Sequence, residues 1–305
     1  MNWGEKMAQL IKLQDYISRY ETNMYRYPGQ FIRAKKQHWQ TMRKRWGEQL
    51  LALEQPEDEP EEQGGGSKWR QLFQRKNEEV QDYFPPDVPP VSLLDEKQRF
   101  LDEIYTFQLK WATSTLWEKS FMNADYKQDR SLKYFLQRFP DIFFIMYEPI
   151  VKIKQAPLEI NTIVIGPLGI EIIHRIEAPA GAVIVAEDNK TWAIEGSAKT
   201  NFISPLIALN RSETYVKSVL AKYGIDFPYK KVILAPENDF SSPVERYHTD
   251  YIGKKEYPDW FEEKRRLRAP LKHQQLKAAE ALVKHSQTSS IKRPEWDQEE
   301  EAFFR

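Results

Sequence analysis

Few residues in this chain carry the types and spacings that chemistry requires. It has no cysteine, which excludes disulfides, thiolate nucleophiles and cysteine-based zinc or iron–sulfur sites. Its histidines, His38, His174, His248, His273 and His285, show no metal-ligand spacing, and His174 alone reads as a partly buried structural histidine. No G-x-S-x-G elbow and no Walker loop occurs, and Gly196-Ser197-Ala198-Lys199 reads as a short polar loop. Acid-x-Lys triplets occur at Asp125-Tyr126-Lys127 and at Asp188-Asn189-Lys190, the second at what reads as a hairpin tip. With 30% of residues charged, such triplets arise by chance.

The charge pattern offers a second candidate. The 45 basic and 45 acidic side chains cancel, which argues against a purely electrostatic nucleic-acid binder. Residues 26–46 nevertheless hold Arg26, Arg33, Lys35, Lys36, Arg43, Lys44 and Arg45 without an acid, while residues 57–62 are almost all acidic. Arg33, Lys35, Lys36, Arg43, Lys44 and Arg45 are the candidates for phosphate contacts, against the alternative of a solvated helix face. The interleaved Tyr25, Tyr27, Trp39 and Trp46 are suited to stacking on bases, or equally to packing against a neighbouring helix.

The elements that must position these residues follow from periodicity. Leu10, Leu13, Ile17, Tyr20 and Met24 recur at three- and four-residue intervals, which predicts an amphipathic helix over 5–24. Pro28-Gly29 breaks it, and Phe31, Trp39, Met42, Trp46, Leu50 and Leu53 line a second helix, so residues 1–54 read as a helical hairpin. An acidic, Gly-rich linker spans 55–67. Residues 68–121 read as a helical region with a Pro85–Pro90 spacer, followed by a long helix capped by Ser92 with Asp95 in its first turn. Leu94, Leu101, Ile104, Tyr105, Ala112 and Leu116 make that helix's apolar face, and Asp125–Phe139 reads as another helix ended by Pro140. Over 122–240 the pattern changes to an α/β domain. Strands are expected at Ile142–Met146, Ile150–Lys154, Ile160–Ile165, Ile170–Ile176, Ala182–Ala186 and Lys231–Ala235, with a helix from Ser204 to Tyr223 and a C-cap at Gly224. This predicts a mixed central sheet with flanking helices. Residues 241–305 return to charged helix, at Tyr257–Arg268 and Leu271–His285, and end in an acidic tail. The N-terminus has no uninterrupted apolar stretch and no apolar run nears the ~20 residues of a membrane span, so a cytoplasmic protein without a membrane partner is expected.

The stretch from Ile160 to Ile170, with Asn161 at its head and Gly166-Pro167-Leu168-Gly169 as its turn, resembles the nuclease-related domain (NERD) motif, as do Trp192, Ser204-Pro205, the following helix and Val232–Leu234 in order. The resemblance covers roughly a third of the chain and implies a restriction-endonuclease-like frame. In that family an Asp and a Glu on neighbouring strands hold a divalent metal, and a Lys two residues beyond the Glu stabilises charge or positions water. Counting along the motif, Asn161 stands at the Asp position, His174 at the Glu, Ile176 at the Lys and Ala208 at a helix Gln. Asp129 stands near the family's first-helix acid. Glu171 and Glu177 lie an odd number of residues from His174, so a regular strand turns them away, unless a bulge re-aims Glu177 as a substitute. The resemblance therefore implies a catalytically inactive nuclease-related protein, with no cofactor and no bound metal, that acts by binding a protein partner through its helical arms, or nucleic acid. The alternative is an active nuclease with migrated ligands, which needs Mg²⁺ and carboxylates converging near Asn161.

Overall fold

The computed structural model describes residues 7–54, 92–153, 155–186, 190–196, 199–241 and 248–293. The expected linker at 55–67, the expected helical region from 68 to 91 with its Pro85–Pro90 spacer, and the tail from 295 lie outside the described residues, as do Asp188 and Asn189. In chain order the elements are β1 (Gln9–Leu13), α1 (Arg19–Thr22), α2 (Tyr27–Glu54), α3 (Leu93–Trp111), β2 (Glu118–Lys119), α4 (Arg130–Arg138), β3 (Phe144–Tyr147), β4 (Ile150–Ile153), β5 (Ala156–Glu159), β6 (Thr162–Ile165), β7 (Ile170–Arg175), β8 (Val183–Val185), β9 (Thr191–Glu195), β10 (Lys199–Ile203), α5 (Pro205–Lys222), β11 (Tyr229–Leu234), β12 (Asp239–Ser241), β13 (Thr249–Ile252), α6 (Tyr257–Arg266), α7 (His273–His285) and β14 (Ile291–Lys292). Among the described residues no helix is long and apolar enough to cross a membrane.

A mixed six-stranded sheet in the order β1-β3-β6-β7-β11-β13 forms the centre, flanked by helices. β6 runs against the other five strands, because β3, β6 and β7 pair antiparallel while β1, β11 and β13 join in parallel. The sheet draws β1 and β13 from outside the 122–240 segment, so the described segments that carry those strands are part of the core.

The N-terminal expectation is corrected here. Residues 9–13 are a strand, and among the described residues the only helix before Asn23 is the four-residue α1, so the first arm of the expected hairpin is replaced by a strand. All five β1 residues are buried, as in a parallel strand covered on both faces. The outer edge is closed by α3: the Gln9 N–H donates inward to the Phe143 carbonyl, and the next N–H, of Leu10, points away from β3 and donates to Gln108 Oε1 at 2.7 Å. The ammonium of Lys12, buried in mid-strand, donates to Glu21 Oε1 at 2.6 Å and Thr288 Oγ1 at 2.7 Å. Pro28 opens α2 instead of breaking a helix, because a first-turn proline lacks only an N–H that has no intrahelical acceptor.

Side-chain parity on β7 shows what covers each face. Glu171 receives the Lys264 ammonium of α6 at 2.9 Å, and the Arg175 guanidinium lies 5.0 Å from the Tyr134 ring of α4, so α4 and α6 cover one face. On the other face Lys231, beside Ile172 in the ladder, reaches Asn210 and Glu213 of α5, and the Tyr215 hydroxyl of α5 donates to the Leu282 carbonyl of α7. Ser204 and Gly224 (φ +58°) bound α5 as the capping pattern predicts. α3 begins at its Ser92 cap but ends at Trp111, which leaves Leu116 outside it and Leu94 exposed; its buried stripe is Phe100, Ile104, Phe107 and Trp111. The segment 125–139 divides at Asp129, a 3-10 turn over 124–127 preceding α4. A second sheet, β10-β9-β8-β12, buries Trp192 among Phe202, Phe240 and Tyr251.

Candidate functional site

The pairing of Thr162 with Ile173 places Asn161, just ahead of β6, across from His174 near the end of β7. Their side chains meet, Asn161 Nδ2 to His174 Nδ1 at 2.8 Å. Ser212 of α5, fully buried, receives the Asn161 peptide N–H at 3.0 Å and has Asn161 Oδ1 at 2.9 Å and Ala208 O at 3.0 Å as acceptors for its hydroxyl proton. With Oδ1 facing that hydroxyl, the amide NH₂ is turned to the imidazole, so Nδ1 accepts and the ring proton sits on Nε2. Burial holds the His174 pKa below its ordinary value, so the ring is neutral at pH 7. The centre of the site is thus a closed network of neutral groups.

Around it opens a cleft of about 760 Å³, which Asn161, His174, Ala208, Glu177 and Asp129 all line. Ile176 is not with them: its N–H continues the ladder to Leu234 O and its side chain is buried in the core. Glu177 lines the cleft beside Arg175, two residues before it; its carboxylate is 72% exposed and 3.6 Å from Arg175 Nη1. Glu171 lies on the opposite face, held by Lys264 and Lys230. Asp129 caps α4 by accepting the Leu132 N–H and takes the Tyr147 hydroxyl at 3.1 Å.

Two carboxylates that the motif does not point to also line the cleft, Glu148 and Glu159, which flank the β4–β5 hairpin. Burial first, then the charges of Glu159 and Asp129, push Glu148 up to about 7. Glu148 itself has φ 45°, the left-handed conformation that turns the chain from β3 into the hairpin. Carboxylates therefore converge on the cleft that holds Asn161, yet among the described residues no three of His, Asp and Glu are grouped to hold a metal ion. Arg130 and Arg175 share the wall, and Arg175 Nε and Nη1 are buried donors without a hydrogen-bond acceptor.

The basic candidates of α2 lie elsewhere and divide into two sets. Lys35 is corrected as a phosphate ligand: it is 2% exposed, with its ammonium on Asp141 Oδ2 at 2.6 Å. Lys36, Arg43 and Lys44 are exposed and line a groove of about 830 Å³ between α2 and the α6–α7 connection, together with Trp39 and Arg268. Arg33 and Arg45 are exposed on the same helix. Of the aromatic candidates, Tyr27 packs on Tyr20 and Trp111, and Trp39 on Phe100.

The chain is 37% identical over 117 residues to an RNA 2',3'-cyclic phosphodiesterase of Geobacillus stearothermophilus. That match covers 34% of this chain and 37% of the other protein, so the chain spans little more than a third of its relative's length. No family model matches, and no solved structure matches.

Glu148 and Glu159 carry a signal that sequence reasoning passed over. Glu148-Pro149 interrupts two β-rich runs, and an acid at a strand end beside a site already suspected is a candidate wall residue. Ser212 has no such signal, because its place depends on the docking of α5 across β6 and β7.

Proposed function

We propose that this chain is a nuclease-related protein that acts by binding and has lost metal-dependent cleavage. The observation that carries the reading is the Asn161–His174–Ser212 network. The two strand positions where the resemblance implies anionic metal ligands hold an amide and a neutral imidazole that satisfy each other. Hard divalent cations favour anionic oxygen ligands; the imidazole offers no oxygen, and the neutral Asn161 Oδ1 already accepts from Ser212. Ala208 and the buried Ile176 supply no polar group where the resemblance implies a Gln and a Lys. The similarity to a protein named as an RNA phosphodiesterase supports nucleic acid as the class bound. The test incubates purified protein with single- and double-stranded DNA and RNA in Mg²⁺ or Mn²⁺. No cleavage is expected, and robust cleavage that disappears in Glu177→Ala overturns the reading.

A second reading, a metal-dependent nuclease with migrated ligands, is favoured by Asp129, Glu148 and Glu159 lining one cleft and by the raised pKa of Glu148, since a bound cation relieves carboxylate repulsion. It requires a Mg²⁺-dependent rise in thermal stability that Glu148→Gln abolishes. A further arm supplies 2',3'-cyclic nucleotides without metal; hydrolysis lost in His174→Gln would establish general acid–base phosphodiesterase chemistry in place of either reading.

A further inference from the structure

The groove between α2 and the α6–α7 connection lies apart from the cleft, and its lining is unusual for a chain of zero net charge. Lys36, Arg43, Lys44 and Arg268 line it, all exposed, and the one carboxylate in the lining, Asp141, is already neutralised by Lys35 at 2.6 Å. Positions 36, 43 and 44 recur at helical spacing, so α2 presents its cations along one side of the groove over ~12 Å of axis. Ile32, Ile142 and Leu267 give the groove apolar ground between the charges. Trp39 lines this groove and also an adjoining one, where Lys97, Arg138 and Arg265 stand beside Phe100 and Phe261. The tryptophan is therefore set between two sets of cations.

We propose that this surface binds single-stranded nucleic acid, with the cations of α2 and Arg268 on successive phosphates and Trp39 and the apolar ground against unpaired bases. Charge complementarity selects a polyanion, and the aromatic and apolar lining between the cations selects one that exposes flat apolar rings, which a duplex hides in its stack. An acidic peptide matches the cations alone. The inference rests on the binding reading given above and names the partner and the place; the cleft at Asn161 need not contribute.

The test measures fluorescence anisotropy of labelled oligo-uridylate RNA and oligo-thymidylate DNA with the full-length protein in EDTA, at 50 and 200 mM salt. With four phosphate contacts the logarithmic salt slope is about −2.8, so affinity for either strand should fall ~50-fold between the two salt concentrations. The triple variant Lys36→Ala/Arg43→Ala/Lys44→Ala should lose at least tenfold in affinity at 50 mM and flatten the slope by about 2. Trp39→Leu should weaken binding with the slope unchanged. The exposed pair Arg33→Ala/Arg45→Ala removes charge from the same helix outside the groove, and should bind as the unaltered protein does. Equal loss in that pair, equal binding of polyglutamate or of duplex, or no binding by the unaltered protein each overturns the proposal. A stronger response to RNA or to DNA decides the source of the strand. Cleavage in Mg²⁺ by a protein whose groove variants still lose binding refutes the non-cleaving reading and leaves the groove standing.

Discussion

Replacing Glu148 by glutamine should stabilise the protein at alkaline pH and leave it unchanged at acid pH. Glu148 is a partly buried carboxyl whose pKa rises from its ordinary 4.5 to about 7, through burial and then through Glu159 and Asp129. Between those two values the folded chain binds a proton that the unfolded chain has released. Stability therefore falls as pH rises from about 4.5 to 7, and the full cost is present above 7. A shift of that size corresponds to at most ~3.4 kcal/mol at ~1.36 kcal/mol per pKa unit, and solvent screening of a partly exposed group reduces it to about 1–2 kcal/mol. Glutamine keeps the shape and the backbone turn while removing the charge. Urea denaturation at pH 4.5 and pH 8 measures the difference. The unaltered protein should be less stable than Glu148→Gln at pH 8 by about 1–2 kcal/mol, and the two should coincide at pH 4.5. Equal stability at pH 8, or a gain confined to acid pH, refutes the placement of three carboxylates around one cleft.

Three further perturbations probe other parts of the argument. A Cβ added at Gly169 meets the Pro228 carbonyl oxygen at 2.8 Å, so Gly169→Ala should cost ~1–3 kcal/mol, while Gly47→Ala in α2, with nothing within 4 Å, should gain up to ~1 kcal/mol; thermal melting separates the signs. Lys35→Met leaves the Asp141 carboxylate without its ammonium and should destabilise by ~2–4 kcal/mol in chemical denaturation, with no specific effect on nucleic-acid affinity of the folded protein. Asn161→Asp puts a carboxylate beside the imidazole and should raise the His174 pKa above its value in the unaltered protein, read from the His174 ring-proton resonance in an NMR titration; a fall instead would show that the two side chains do not meet.

What was legible in the sequence was local. Ser92 with Asp95, Ser204-Pro205 and Gly224 announce helix ends through hydrogen bonds made within a few residues, and the structure places each where the pattern put it. The β6–β7 hairpin likewise closes through its own Gly166–Gly169 turn, in which the Gly166 N–H donates to the Gly169 carbonyl. β1 was not legible, because its partner β3 lies more than a hundred residues on and its burial comes from α3 as well. Leu10, Leu13, Ile17 and Tyr20 are all buried, as an apolar stripe should be, but in a strand, the connection after it and the short α1, and spacing alone does not distinguish these from one helix. Lys12 deepened the error: a lysine in an apolar run signals an exposed face unless its acid is known, and Glu21 and Thr288 become its partners only after folding.

The same division runs through the candidate site and explains why its chemistry is harder to read than its frame. Asn161, His174 and Ala208 share a cleft because a hairpin register and one docked helix bring them together, and both features have local signals. Glu148 and Glu159 reach that cleft from the two open ends of the β4–β5 hairpin, Glu148 from the turn that leaves β3 and Glu159 from the last residue of β5. A motif therefore identifies positions to inspect, whereas acids from elements that the motif does not contain reach the same cleft. Lys35 shows the converse, a cation of the right type and spacing that Asp141 removes from the surface. The neutral pair at Asn161 and His174 accordingly argues against a metal site there, while the acids across the cleft set how much of that argument a cation could reverse. A Mg²⁺ titration of thermal stability at pH 8, where Glu148 is ionised, asks the question directly: no rise supports the binding reading, and a rise abolished by Glu148→Gln transfers the site to the hairpin acids.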